Sequence, residues 1–189
     1  MPKRIASVAV LAVALASVSA AQQKSELPER FSAFAVSLGG PRTASGTAQV
    51  EITINRWSTP EETQRLMAVL KEKGANALLD TLIEMKPVGT INTPGSLAYD
   101  LHYANQQPTS EGGRRIFLAT DRPIGYWEAA NQPRLSNYPF TFIELRMNGK
   151  GEGEGKLSLA TQINVAGKVI ELVNYGAQPI ALNQVKKEK

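Results

Sequence analysis

A single histidine, His102, occurs in the 189 residues, and a carboxylate, Asp100, stands two positions before it. On a strand such a pair shares one face, roughly 7 Å apart, close enough for the acid to influence the imidazole's charge. An imidazole beside a carboxylate is suited to moving a proton near neutral pH. The segment 121–128 offers a third group, Asp121 or Glu128. These residues would suit a hydrolase or an isomerase. The same spacing also describes a histidine on a solvent face beside a carboxylate, with no chemistry attached. The sequence holds no Gly-x-Ser-x-Gly elbow, and without cysteine or a second histidine it has no zinc pattern. Glu51 and Glu144 lack a diagnostic spacing, and salt bridges to Arg115, Arg122, Arg134 or Arg146 account for carboxylates of this kind.

The second candidate is a binding segment. Arg114–Thr120 reads as a strand that leads into the turn-dense stretch 121–139. A loop of that length inside a compact domain is usually functional or hides a short element. Tyr126 and Trp127 offer large apolar faces with polar edges, and Arg122 and Arg134 offer planar donors to an acidic group. Those four form the candidate ligand site. The alternative is a plug, with Trp127 closing one end of the sheet and the arginines bonded to backbone carbonyls. A glycine-rich run, Asn148 to Gly155, invites comparison with a phosphate loop. However, strand-like Leu157-Ser158-Leu159 follows it instead of a helix, and Glu152 and Glu154 would repel a phosphate. It reads as a hairpin loop, and no cofactor is called for.

The elements that must position these residues are mostly strands. Phe34, Val36 and Leu38 share one face of a strand over Phe31–Leu38. Ala48, Val50, Ile52 and Ile54 alternate with polar residues from Gly46 to Trp57, which places one face in a core and one in water. These two strands are expected to pair as a hairpin. Thr59-Pro60-Glu61-Glu62 starts a helix with a capping box, Leu66, Val69 and Leu70 give its stripe, and Gly74 ends it. A second helix, from about Asn76 to Met85, stops at Pro87 and completes a helical hairpin. Strands resume with Leu97, Tyr99, Leu101 and Tyr103 on one face, then with Ile116 and Leu118 on the core face of Arg114–Thr120. Phe140–Met147 is apolar on both faces at its start, which makes it a central strand, and Leu157–Val165, Lys168–Asn174 and Ile180–Val185 finish a meander. The expected class is α+β: mainly antiparallel β, a barrel or a two-sheet sandwich of about eight strands, with one inserted helical hairpin.

Composition and the termini bound the setting. Lys3-Arg4, the apolar run Ile5–Val18 and the small residues Ser19-Ala20-Ala21 follow the order of a secretory signal peptide. The run of about 14 residues is short of the roughly 20 that span a bilayer, so no membrane span is expected in the mature chain. The expected organisation is a signal peptide over 1–21, a flexible start over 22–28, one globular domain over 29–185 and a basic tail over 186–189. Of the formal charge of +4, two units leave with Lys3 and Arg4, and the tail carries the other two. The body is therefore near neutral, which argues against nucleic acid as a partner.

Five stretches carry a resemblance: Arg56–Glu61, Pro94–Leu101, Arg114–Ile124, Tyr138-Pro139-Phe140 and Asn174–Pro179. Through them the chain resembles a family of uncharacterised secreted bacterial proteins with no assigned activity. The resemblance implies export and a single domain, and it assigns no role to any residue. The sequence therefore points to an exported, periplasmic or extracellular, non-catalytic domain that binds a small anionic molecule or an envelope partner. The alternatives are the hydrolase or isomerase built on Asp100 and His102, and a purely structural envelope protein.

Overall fold

The computed structural model describes residues 26–40, 43–92, 98–121, 140–166, 169–174 and 179–189. Nine strands and one helical element follow in order: β1 (Glu29–Gly40), β2 (Thr43–Ile54), α1 (Pro60–Glu84), β3 (Gly89–Asn92), β4 (Tyr99–Pro108), β5 (Arg114–Thr120), β6 (Phe140–Met147), β7 (Glu152–Ala166), β8 (Val169–Asn174) and β9 (Ile180–Lys187). All pairings are antiparallel. The sheet runs β6-β5-β4-β3-β2-β1-β9-β7, and β6 also pairs with β7, which closes eight strands into a barrel. The far half of the long β7 pairs with β8 instead. Eight strands leave an interior just wide enough for side chains, and here Phe31, Ile52, Ile54, Ile91, Leu101, Ile116, Leu118, Leu145 and Leu182 fill it.

On β2, Val50, Ile52 and Ile54 point inward as the alternation implies, whereas Ala48, expected on the same face, is exposed. On β6, Ile143, Leu145 and Met147 point inward, while Phe140 and Phe142 lie outside against the helix. β1 differs from the expectation. Its inward face is Phe31 and Ala33, with Ala35 partly buried, whereas Phe34 is 50% and Leu38 82% exposed. The register explains the choice. Ala33 lies opposite the buried Val50, and Ala35 faces the buried Leu182. A narrow, close-packed interior that already holds those large neighbours accepts alanine there.

Other differences are local. β3 is a four-residue strand that its sequence, Gly-Thr-Ile-Asn, does not announce. The glycine-rich run is a tight turn at 148–151, and Glu152 already begins β7. Gly153 belongs to that strand because a Cβ there would sit 1.9 Å from the Arg146 carbonyl oxygen. β9 continues through Lys187, and the Glu188 amide donates to the Arg30 carbonyl, so the expected tail residues 186 and 187 are paired strand. α1 is interrupted at Gly74, whose φ of 81° is open to glycine. Arg65 and Glu84 nevertheless lie 3.5 Å apart. A straight helix rising about 1.5 Å per residue would hold them about 28 Å apart, so α1 bends sharply there. No helix among the described residues is long and apolar enough to cross a membrane.

One end of the barrel carries a buried ion pair. Glu29, fully buried, points inward from the start of β1 and is held by both Arg114 nitrogens and by Lys187 at 3.5 Å. The Arg114 guanidinium lies over Phe31 and Trp57, 5.8 and 6.0 Å from their centroids, and donates to Gln106. Cation–π contacts and bidentate geometry offset the cost of desolvating the pair.

The inward face of β1 yields a test. Phe31→Ala should cost about 3–5 kcal/mol of stability, and Phe34→Ala should stay near about 0.5 kcal/mol. Urea midpoints of the two variants measure the difference, and equal shifts would reverse the faces of β1.

Candidate functional site

Of the candidate residues, Arg122, Tyr126, Trp127, Glu128 and Arg134 lie outside the described residues. Asp100, His102 and Asp121 are placed. His102 and Asp121 meet, with Nε2 3.7 Å from Oδ1 and both side chains largely buried. Asp100 sits on β4 two residues before His102, paired in register with Thr90 of β3.

The geometry around His102 begins with a register shift. Leu101 pairs with Thr120, yet Tyr103 pairs with the adjacent Ala119, so His102 is an extra residue in β4. Such a bulge puts two successive side chains on the same side. Leu101 and Ala104 face the interior, while Tyr103 joins His102 outside, against the helical cluster. This corrects the expectation that Tyr103 shares a face with Tyr99 and Leu101.

His102 is 6% exposed, and its Nδ1 lies 3.0 Å from the Met85 carbonyl oxygen at the C-cap of α1. A carbonyl only accepts, so Nδ1 carries the proton and donates. One ring nitrogen therefore holds the helix end and the other faces Asp121. The buried ring thus positions a helix through Nδ1, while Nε2 faces the Asp121 carboxylate at 3.7 Å, beyond hydrogen-bond reach.

The start of α1 is fastened to the same strand. Ser58 donates its amide to the Ala104 carbonyl and accepts the Ala104 amide on Oγ. Thr59 caps the helix: its hydroxyl accepts the Glu62 amide at 3.2 Å, and the Glu62 carboxylate accepts the Thr59 amide at 2.8 Å. Arg56 grips that carboxylate with both nitrogens, at 2.8 and 3.0 Å, and reaches the Lys86 carbonyl past the other end of α1. The Arg56 hydrogen bonds hold the Glu62 carboxyl below its ordinary value of 4.5.

Between these anchors the bent helix leaves a groove on the outside of β4, β5 and β6. Its volume is about 370 Å³. Leu66, Met67, Leu70, Leu78 and Leu82 form one wall, and Tyr103, Ala119, Phe117 and Phe142 form the other. Thr63, Asn105 and Gln107 supply the polar lining. The helical leucines were legible as an apolar stripe, but the strand wall was not, because the bulge reverses which β4 residues face out. Phe117 and Phe142 carried the available signal, two outward aromatics that need cover. A second depression of about 270 Å³ lies over β6, β7 and β9, between Arg146, Glu144, Glu154 and Lys156. Its charges are already matched locally, with Arg146 Nε 2.9 Å from Glu144. Glu144 thus has the salt-bridging role its sequence suggested.

Among the described residues no group of histidine, aspartate and glutamate is arranged to hold a metal ion. Comparison with protein-family models, with curated proteins and with solved structures finds no match for this chain.

Two outcomes test these anchors. Because the folded-state Glu62 carboxyl is depressed, the stability it contributes is present above about pH 4.5 and is lost as pH falls through the lowered value. Melting temperatures across the acid range should fall for the wild type, and Glu62→Gln should remove that part of the slope. At the other anchor, His102→Leu strips the Met85 carbonyl of its donor and should cost about 1–3 kcal/mol, measured by urea denaturation.

Proposed function

We propose that the chain is an exported, non-catalytic binding domain that takes a small, largely apolar molecule in the groove between α1 and the outer face of β4, β5 and β6. The single observation that carries this reading is the groove, an apolar-walled space of about 370 Å³ on a barrel whose interior is full. Small-molecule sites are concave, mostly apolar and furnished with a few polar groups, within a range of roughly 300–1,000 Å³. The two halves of α1, folded at Gly74 as a helical hairpin, serve as the cover. Export rests on the leader-like order of residues 1–21. The burial of His102 and its bond to Met85 weigh against the hydrolase or isomerase reading.

An envelope partner is the second reading, and one observation favours it. Phe34 and Leu38 stand exposed on the outside of β1, in line with Val36, as an apolar stripe on an otherwise polar wall.

Titration with N-phenyl-1-naphthylamine, a neutral probe that fluoresces in apolar surroundings, tests the groove. The expected result is saturable binding of one probe per chain. Met67→Trp, which fills the groove from a half-buried position, should weaken it by about tenfold or more, the loss of one good apolar contact surface, at an unchanged melting temperature. Absence of saturable binding, or equal affinity in the variant, would refute the assignment.

A further inference from the structure

We propose that the natural occupant of this groove is a single-chain amphiphile with a carboxylate head, its chain under the helical leucines and its head beside Arg115; this rests on the groove being the binding site. The registers of β4, β5 and β6 set the outward side chains in three successive rows. The first holds Tyr103, Ala119 and Phe142, the second Asn105, Phe117 and Glu144, and the third Gln107, Arg115 and Arg146. Rows on one face are roughly 7 Å apart along the strands, so the face runs from an apolar floor, through a row holding an amide, Phe117 and the Glu144 carboxylate, to two guanidiniums within about 14 Å.

The lining itself, among the described residues, carries no ionisable group except the Tyr103 phenol. A charge therefore does not belong deep in the groove, where nothing offsets its desolvation. At the third row the balance changes. Two arginines share one carboxylate, Glu144, with Arg146 at 2.9 Å and Arg115 Nε at 3.8 Å, and both arginines are about half exposed. Arg146 makes the close bond. Arg115 makes only the long contact, so its planar fork is the cation open to a carboxylate head. The amides of Asn105 and Gln107 lead toward it as donors. Taking each methylene at close to the share of one water, roughly 30 Å³, the volume of about 370 Å³ holds up to about twelve methylenes, enough for a ten-carbon chain.

Competition against N-phenyl-1-naphthylamine with three ten-carbon compounds tests this on the full folded domain: decanoate, decanol and decyltrimethylammonium. Decanoate should displace the probe about tenfold more tightly than decanol, and the cation should be weakest. Arg115→Gln, at an exposed position that leaves the fold intact by its melting curve, should bring decanoate down to the affinity of decanol while leaving decanol unchanged. If the neutral probe binds but decanol matches decanoate, the groove stands and the carboxylate assignment falls. If decanoate is preferred and Arg115→Gln does not alter the preference, the head lies elsewhere and the placement at Arg115 is wrong. If neither the probe nor any of the three compounds binds, the groove reading itself has failed.

Discussion

One inserted residue decides what the outside of this barrel offers. With His102 as an extra position between Leu101 and Tyr103, β4 changes phase in mid-strand. Leu101 and Ala104 point inward, and Tyr103, Asn105 and Gln107 point at the helix. Without the bulge the order would invert, sending a tyrosine and two amides into a close-packed interior and exposing Ala104 and Gln106. Gln106 would then lose the hydrogen bond it accepts from Arg114, the cation of the buried ion pair. The inserted histidine is also the residue that holds the end of α1, so one local irregularity both shapes the strand wall and fastens its cover.

The second constraint is volume. An eight-stranded barrel closes around little more than its own side chains, and this one seals one end with Glu29 and Arg114 between Phe31 and Trp57. Space for another molecule has to come from outside the barrel. α1 provides it by being fixed at its ends and bent at its middle. Arg56 touches Glu62 at the start and Lys86 beyond the finish, which ties two points of the sequence to one guanidinium. Leucines from both sides of Gly74 then face the same patch of β4, β5 and β6.

Much of this was legible in the sequence where the signal is local. Thr59, Pro60 and Glu62 specify a capped helix start through three adjacent choices, and the cap forms as its residues imply. The alternation on β2 fixed its faces because its outer positions, Glu51 and Thr53, are unambiguously polar. β1 has no such contrast, with Phe, Val and Leu on one face and Phe, Ala and Ala on the other. Greater apolarity pointed to the wrong face, because a narrow interior selects for fit as well as hydrophobicity. Tyr103 was placed on the wrong side since a period of two cannot anticipate an inserted residue. Glu29 carries no sequence signal because it precedes the apolar pattern. Its partner left a trace, since Arg114 is in phase with Ile116 and Leu118, and a charge on a core face requires a partner. The Arg122, Tyr126, Trp127 and Arg134 site lies outside the described residues, and the groove came from elements whose meeting only the fold reveals.

Methyl-resolved NMR of the folded chain, with decanoate added stepwise, reads the groove and the barrel interior separately. Saturating shifts are expected for the methyls of Met67, Leu70, Leu78 and Leu82, which line the groove, while those of Ile52, Leu118 and Leu182 inside the barrel stay in place. Shifts concentrated on the interior methyls, or spread evenly over both sets, would contradict a binding site held between the helix and the outer wall.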